Sequence, residues 1–270
     1  MIGYLGPALP LREVVSQGPH SLVVQSYRPR EMTSGTVNAD GYGAALWLDD
    51  GKPEPALYRT AMPIWSDPNL GWMGERLQVR AALAAVRSAT PGIGYELPNV
   101  QPFARGRIAF LHNGFITGFR SGPQRALRER LGKAAYESIE GTSDSEHIFA
   151  LVLDALDNGA GSLAAALRAG IRALDEVCRS EERTAVATVL LSDGEELIGC
   201  RWARSLAPAT LYAAQLRSSR SPRDAVGSLV ASEPTDVRPG EPRAHWRELP
   251  AASLFAWSLA GRELRVEPLE

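Results

Sequence analysis

Between Ser143 and Leu174 the apolar residues recur at intervals of three and four, whereas on either side they fall in short runs broken by Gly, Pro, Asp and Asn. Ile148, Leu151, Val152, Ala155 and Leu156 form one such stripe, and Leu163, Leu167, Ile171 and Leu174 a second, with Asn158-Gly159 between them. Spacing of this kind is that of two amphipathic helices. Before them, residues 42–48 (YGAALWL), 79–89 (VRAALAAVRSA) and 107–112 (RIAFLH) read as buried strands. After them, residues 184–191, 195–201, 209–213, 227–232, 245–249 and 254–259 alternate with turn signals, the first pair joined by Ser192-Asp193-Gly194. Strands, then paired helices, then strands differ from the regular alternation of a doubly wound sheet, so an α+β chain with antiparallel sheets is expected. The polar, Pro-rich segments 217–224 and 233–243 are expected to be surface loops between late strands of one domain spanning residues 1–270.

The chain's 270 residues are 44% hydrophobic, enough for a sizeable core. Its net charge is −2, and no stretch concentrates Lys and Arg with interleaved aromatics, which argues against nucleic acid as a partner. No apolar run approaches the roughly 20 residues needed to span a bilayer, and no signal-peptide pattern opens the chain. A cytoplasmic protein without a membrane partner is expected. Cys178 and Cys200 are too few for a disulfide framework and read as packing residues. Neither they nor the four histidines, His20, His112, His147 and His245, have metal-ligand spacing, so no metal and no cofactor is expected.

Four stretches place a polar group at the end of an apolar run: VRSATPG (86–92), LPNVQPF (97–103), FLHNGFI (110–116) and GTSDSEHIF (141–149). Each also has an ordinary reading. Asn113-Gly114 is a turn dipeptide, Ser143-x-x-Glu146 is a capping box with Asp144 in the first helical turn, and Arg87 suits a strand residue reaching solvent. Taken together they suit a site for an α-amino acid headgroup. An Arg grips a carboxylate bidentately, an Asp pairs with an ammonium, and Asn113 with the Gly114 N–H can stabilise the oxyanion of acyl transfer.

In order and spacing, NADGYG (38–43), RSATPG (87–92), NVQPF (99–103), HNGFI (112–116) and TSDSE (142–146) resemble the class II glutamine amidotransferases. VQSYRPREM (24–32), PIWSD (63–67) and GTSDSEHIFAL are most similar to the amidohydrolases of ergothioneine biosynthesis within that superfamily. The resemblance implies an N-terminal-nucleophile hydrolase fold, a four-layer αββα sandwich of two antiparallel sheets between helical layers. It implies hydrolysis of a γ-glutamyl amide, with a γ-glutamyl-cysteinyl conjugate as small-molecule substrate, and leaves a homodimer open. Arg87 would anchor the substrate α-carboxylate, Asp144 its α-amino group, and Asn113 and Gly114 would form the oxyanion hole. Thr90 matches a threonine near the glutamyl site, and Pro91 stands where several amidotransferases carry a histidine. Asn38, Asp40, Gly41 and Gly43 would shape the turn beside the site.

The opening MIGYLGP reads as a strand closed by a turn at Gly6-Pro7. The family pattern starts Met-Cys-Arg before the residues matched by Ile2-Gly3-Tyr4-Leu5-Gly6, with the cysteine as nucleophile and its α-amine as general base. Met1 stands two places beyond that cysteine. Either Cys and Arg are encoded upstream or the nucleophile has been lost, and the presence of the other motifs favours the first. Trp47, Trp65 and Trp72 are candidates for caging a trimethylammonium group or, more simply, for packing.

Overall fold

The computed structural model describes residues 1–32, 35–88, 94, 96–217, 225–238, 240, 245–259 and 263–269. Thr90 and Pro91 lie outside them, as do most of 217–224 and 239–244. Two antiparallel sheets carry the architecture. In the first, the order is β11 (Arg247–Glu248), β9 (Tyr212–Arg217), β10 (Ala225–Ala231), β1 (Ile2–Pro10), β4 (Gln78–Val86), β2 (Tyr42–Leu48), β3 (Ala56–Thr60). In the second it is β13 (Arg265–Pro268), β12 (Ser253–Ser258), β8 (Glu196–Arg204), β7 (Ala185–Ser192), β6 (Ile108–Ile116), β5 (Phe103–Arg105).

Strand alternation sorts the apolar side chains into three layers. Leu5, Ala45, Trp47, Leu83 and Ala85 of the first sheet meet Leu111, Leu190, Leu197 and Phe255 of the second in a core between the sheets. Residues one position away, such as Phe110, Val189, Leu191 and Ile198, face the helices α6 (Asp144–Asp157) and α7 (Leu163–Ser180) through Ile148, Val152, Leu167 and Ile171. Ile2, Tyr4, Ala82 and Ala84 face α1 (Leu11–Val15), α2 (Leu22–Tyr27) and α3 (Leu70–Arg76). The result is helices, sheet, sheet, helices, as the αββα expectation requires. Both caps of the long helices are hydroxyls: Ser143 Oγ accepts from Glu146 N at 3.2 Å and Ser162 Oγ from Ala165 N at 3.1 Å.

Four expectations need correction. The first strand does not close at Gly6-Pro7; it continues to Pro10, with a shift of register against β4 between Leu5 and Leu9. The exposed Pro7 sits in that irregularity, where its missing N–H interrupts no ladder. Asn113-Gly114 forms no turn but lies within β6, paired opposite Thr188 and Ala187. The capping box is only half made, because the Glu146 carboxylate accepts from Glu140 N and Gly141 N at 2.8 and 2.7 Å. Finally, Glu233, Thr235 and Val237, within a segment read as surface loop, are buried. Two helices in a stretch without clear periodicity, α4 (Pro123–Arg130) and α5 (Lys133–Glu137), complete the elements before α6.

Candidate functional site

The polar positions converge because two strands run past the edge of the inter-sheet core. Leu83 and Ala85 belong to that core, so Arg87, the next residue in the same alternation, stands just past the end of β4 at the edge of the core. Leu111 belongs to it from the other side, which puts Asn113 on the opposing rim. Met1, at the start of the neighbouring central strand, closes the floor and is 7% exposed.

Arg87 is held at both its backbone and its side chain. Its N–H donates to Gly41 O at 2.9 Å, and its carbonyl accepts from Asp40 N at 3.0 Å. Gly41 has φ 111°, and a Cβ there would lie 2.6 Å from Thr60 O, so the turn leading into β2 needs glycine. Asn38 N donates to Ser26 O at 2.6 Å, fixing the same segment against α2. Arg87 Nη2 donates to Gly94 O at 2.9 Å. The Asn99 amide donates to that carbonyl at 3.3 Å, and its own oxygen accepts from Thr142 N at 2.8 Å. One hydrogen-bonded path thus links Arg87 to the start of α6, two residues before Asp144.

Asp144 is 4% exposed and receives two backbone N–H groups: Ile116 N on Oδ2 at 3.0 Å and Ser145 N on Oδ1 at 2.8 Å. The first of these ties the carboxylate to β6, the strand that carries Asn113 and Gly114. Asn113 is exposed. Gly114 could carry no side chain, since a Cβ would fall 1.9 Å from Val186 O and 2.6 Å from His112 Nε2. His112, which the sequence marked only as one of four histidines without metal-ligand spacing and as part of the HNGFI motif, is 5% exposed on the helix side of β6. Gln101 brackets its backbone, donating to His112 O at 2.9 Å and accepting from His112 N at 2.6 Å. Burial pushes its imidazole below the ordinary histidine range, against the opposing effects of Asp144 and the Val186 carbonyl.

At the floor, the Met1 ammonium donates to Ser232 Oγ at 2.9 Å, and burial lowers its pKa to about 6, partly offset by Glu233. Glu233 itself accepts from Arg30 N at 2.8 Å and Glu31 N at 3.2 Å and pairs with His20 Nε2 at 2.6 Å. Burial alone would raise this carboxyl, but His20 and the two N–H groups hold it below its usual value. The sequence offered no sign of this buried pair, because Glu233 sits among Pro, Thr and Asp. Thr188, opposite Asn113, donates to Ala209 O at 3.2 Å, and Thr210 donates to Ser232 O at 2.9 Å, beside the Met1 ammonium's partner.

The structure therefore links the Arg87 guanidinium, through Gly94 and Asn99, to the start of the helix that carries the Asp144 carboxylate, and ties that carboxylate to the strand that carries Asn113 and Gly114. The two cysteines lie elsewhere. Both are buried, and burial raises Cys178 to about 11 and Cys200 to about 12, so neither is a thiolate at neutral pH. Trp47 is fully buried between the sheets, while Trp65 and Trp72 are 44% and 66% exposed. Among the described residues, no group of three His, Cys, Asp or Glu could hold a metal ion, and no helix is long and apolar enough to cross a membrane.

Comparison with known proteins places the chain in a family and a fold. The family described as glutamine amidotransferases class-II matches residues 17–259. A relative from Mycolicibacterium smegmatis named gamma-glutamyl-hercynylcysteine sulfoxide hydrolase is 30% identical over 92% of this chain and 91% of its own. One of the same name from Mycobacterium tuberculosis is 30% identical over 92% of this chain and 88% of its own. A solved glutamine aminotransferase class-II domain protein from Silicibacter pomeroyi has TM-score 0.70 at 23% identity, covering 100% of this chain and 98% of that one. The allosteric regulatory enzyme of purine biosynthesis, at 14% identity, shares the fold with TM-score 0.64 over 100% of this chain and 48% of its own.

Proposed function

We propose, from the premise that this chain belongs to the class-II glutamine amidotransferases, that it binds a γ-glutamyl group and releases glutamate by hydrolysing its amide. The observation that carries this reading is the hydrogen-bonded path from Arg87 through Gly94 and Asn99 to Thr142, beside Asp144. It supports a headgroup site in which Arg87 takes the α-carboxylate and Asp144 the α-ammonium. By analogy with the mycobacterial relatives, the substrate is γ-glutamyl-hercynylcysteine sulfoxide.

In this mechanism a thiolate attacks the γ-carbonyl carbon. The oxyanion that develops accepts hydrogen bonds from the Gly114 N–H and the Asn113 side chain. The C–N bond breaks as the leaving amine takes a proton, and water then attacks the thioester, freeing the thiol and glutamate. Cys178 and Cys200 are buried and protonated, so neither supplies that thiol, which in the family pattern belongs to a cysteine ahead of the residues matched by Ile2–Gly6. A chain without it would bind γ-glutamyl compounds and not turn them over.

Glutamate release from γ-glutamyl-hercynylcysteine sulfoxide, L-glutamine and glutathione, by protein in which Cys-Arg precedes Met1's position, tests the reading. Faster release from the conjugate than from the other two supports it. Release from glutamine alone would favour ammonia transfer, and L-glutamate binding with no release from any of the three would favour a binding module.

A further inference from the structure

His112 and Ser145 sit directly behind Asp144, and their hydrogen bonds have a direction. A carbonyl can only accept, so the 3.0 Å contact between His112 Nε2 and Val186 O places a proton on Nε2. In the neutral ring that burial favours, Nδ1 is then an acceptor. Its partner at 2.8 Å is Ser145 Oγ, which must donate. The same hydroxyl oxygen lies 3.4 Å from Asp144 Oδ1, and a serine has one hydroxyl proton to give. All three side chains are nearly excluded from water: His112 is 5%, Ser145 7% and Asp144 4% exposed.

We propose that His112 is a positioning residue that takes the Ser145 hydroxyl proton on Nδ1 and so keeps it off Asp144, leaving the carboxylate's remaining lone pairs to a ligand ammonium. Among the described residues, the bonds to Asp144 in this arrangement come from backbone N–H groups, one on each oxygen. A hydroxyl donated to Oδ1 would compete with the ammonium for the same charge. The Val186 contact completes the device, because it sets the tautomer and spans the strand pair β6–β7 next to Gly114. This inference rests on the assignment of Asp144 to the α-amino group.

The test is calorimetric titration of the full chain with L-glutamate and with glutarate, which lacks the α-amine. Neither ligand can be turned over. His112→Gln puts an amide where Nε2 sits and no acceptor where Nδ1 sits, so the Ser145 hydroxyl turns to Asp144. The preference for L-glutamate over glutarate should fall about tenfold. His112→Asn places a carbonyl near Nδ1 and should keep most of the preference. In His112→Gln combined with Ser145→Ala there is no hydroxyl to turn, and the preference should return, while Ser145→Ala alone should leave it intact. An unchanged preference in His112→Gln, or a double variant as poor as the single one, would overturn the role of His112. A loss in Ser145→Ala would do the same without any change at His112. Equal affinity of the unaltered chain for both ligands would overturn the assignment of Asp144, and this inference with it.

Discussion

Gly114 shows how little tolerance a single position in this site has. With a Cβ built 1.9 Å from the Val186 carbonyl, Gly114→Ala must push β6 away from β7. A cost of about 1–3 kcal/mol in urea unfolding is expected, together with loss of glutamyl binding. Arg87→Ala leaves the backbone bonds to Gly41 and Asp40 in place and removes only the guanidinium. L-glutamate affinity should therefore drop roughly ten- to a hundredfold in calorimetry, with little change in melting temperature. Arg87, Asn113, Gly114 and Asp144 could be singled out in the sequence because a charge or amide ended an apolar run and the motifs followed a family order. His112 could not. A histidine ahead of Asn-Gly looks like a turn neighbour until the strand continues through it and sends its ring to the helix side.

At the level of elements, the N-terminus of α6 is the most consequential. His147, in its first turn, is fully buried and donates from Nδ1 to Ser143 O at 2.7 Å, so its Nε2 accepts from Arg128 Nε at 2.9 Å. Burial, with Arg128 adding to it, lowers the His147 pKa to about 4. The folded state thus binds fewer protons than the unfolded chain between the ordinary value of 6.5 and about 4. Stability falls as pH drops through that window, by on the order of 3 kcal/mol when complete. His147→Gln should flatten that part of a pH-dependent urea-unfolding profile, and an equally steep profile would assign the loss to other groups. The long helices and most strands were legible because their apolar spacing is unambiguous. Helices α4 and α5 were not, since each buries so few residues (Pro123 and Leu127, and Ala135) that no stripe forms. Strand β1 ran longer than expected for a different reason: pairing on both sides of its first half outweighs a Gly-Pro interruption.

The whole molecule depends on joining two sheets, and one buried cation does part of this. Arg201 of β8 is 6% exposed and donates through Nε to Ala209 O at 2.9 Å and through Nη1 to Leu249 O and to Glu248 at 3.0 Å. These acceptors lie on or beside strands of the other sheet. Arg201→Leu would strip the Leu249 carbonyl of this donor and leave the Ala209 carbonyl to Thr188 alone, and a loss of about 3 kcal/mol in urea unfolding is expected. Arg107→Leu at an exposed ion pair should cost less than about 0.5 kcal/mol. By itself the sequence determined the α+β class, the paired helices and the strand-rich last third, because local periodicity encodes them, and it marked Arg87, Asn113, Gly114 and Asp144 as candidates through residue chemistry and a family resemblance. Only the tertiary structure decided which strands are neighbours, and hence that Met1 meets Ser232, His20 meets Glu233 and Asn99 meets Thr142. Such contacts join residues up to 231 positions apart, and their partners are chosen by burial and sheet register rather than by anything in the adjoining sequence.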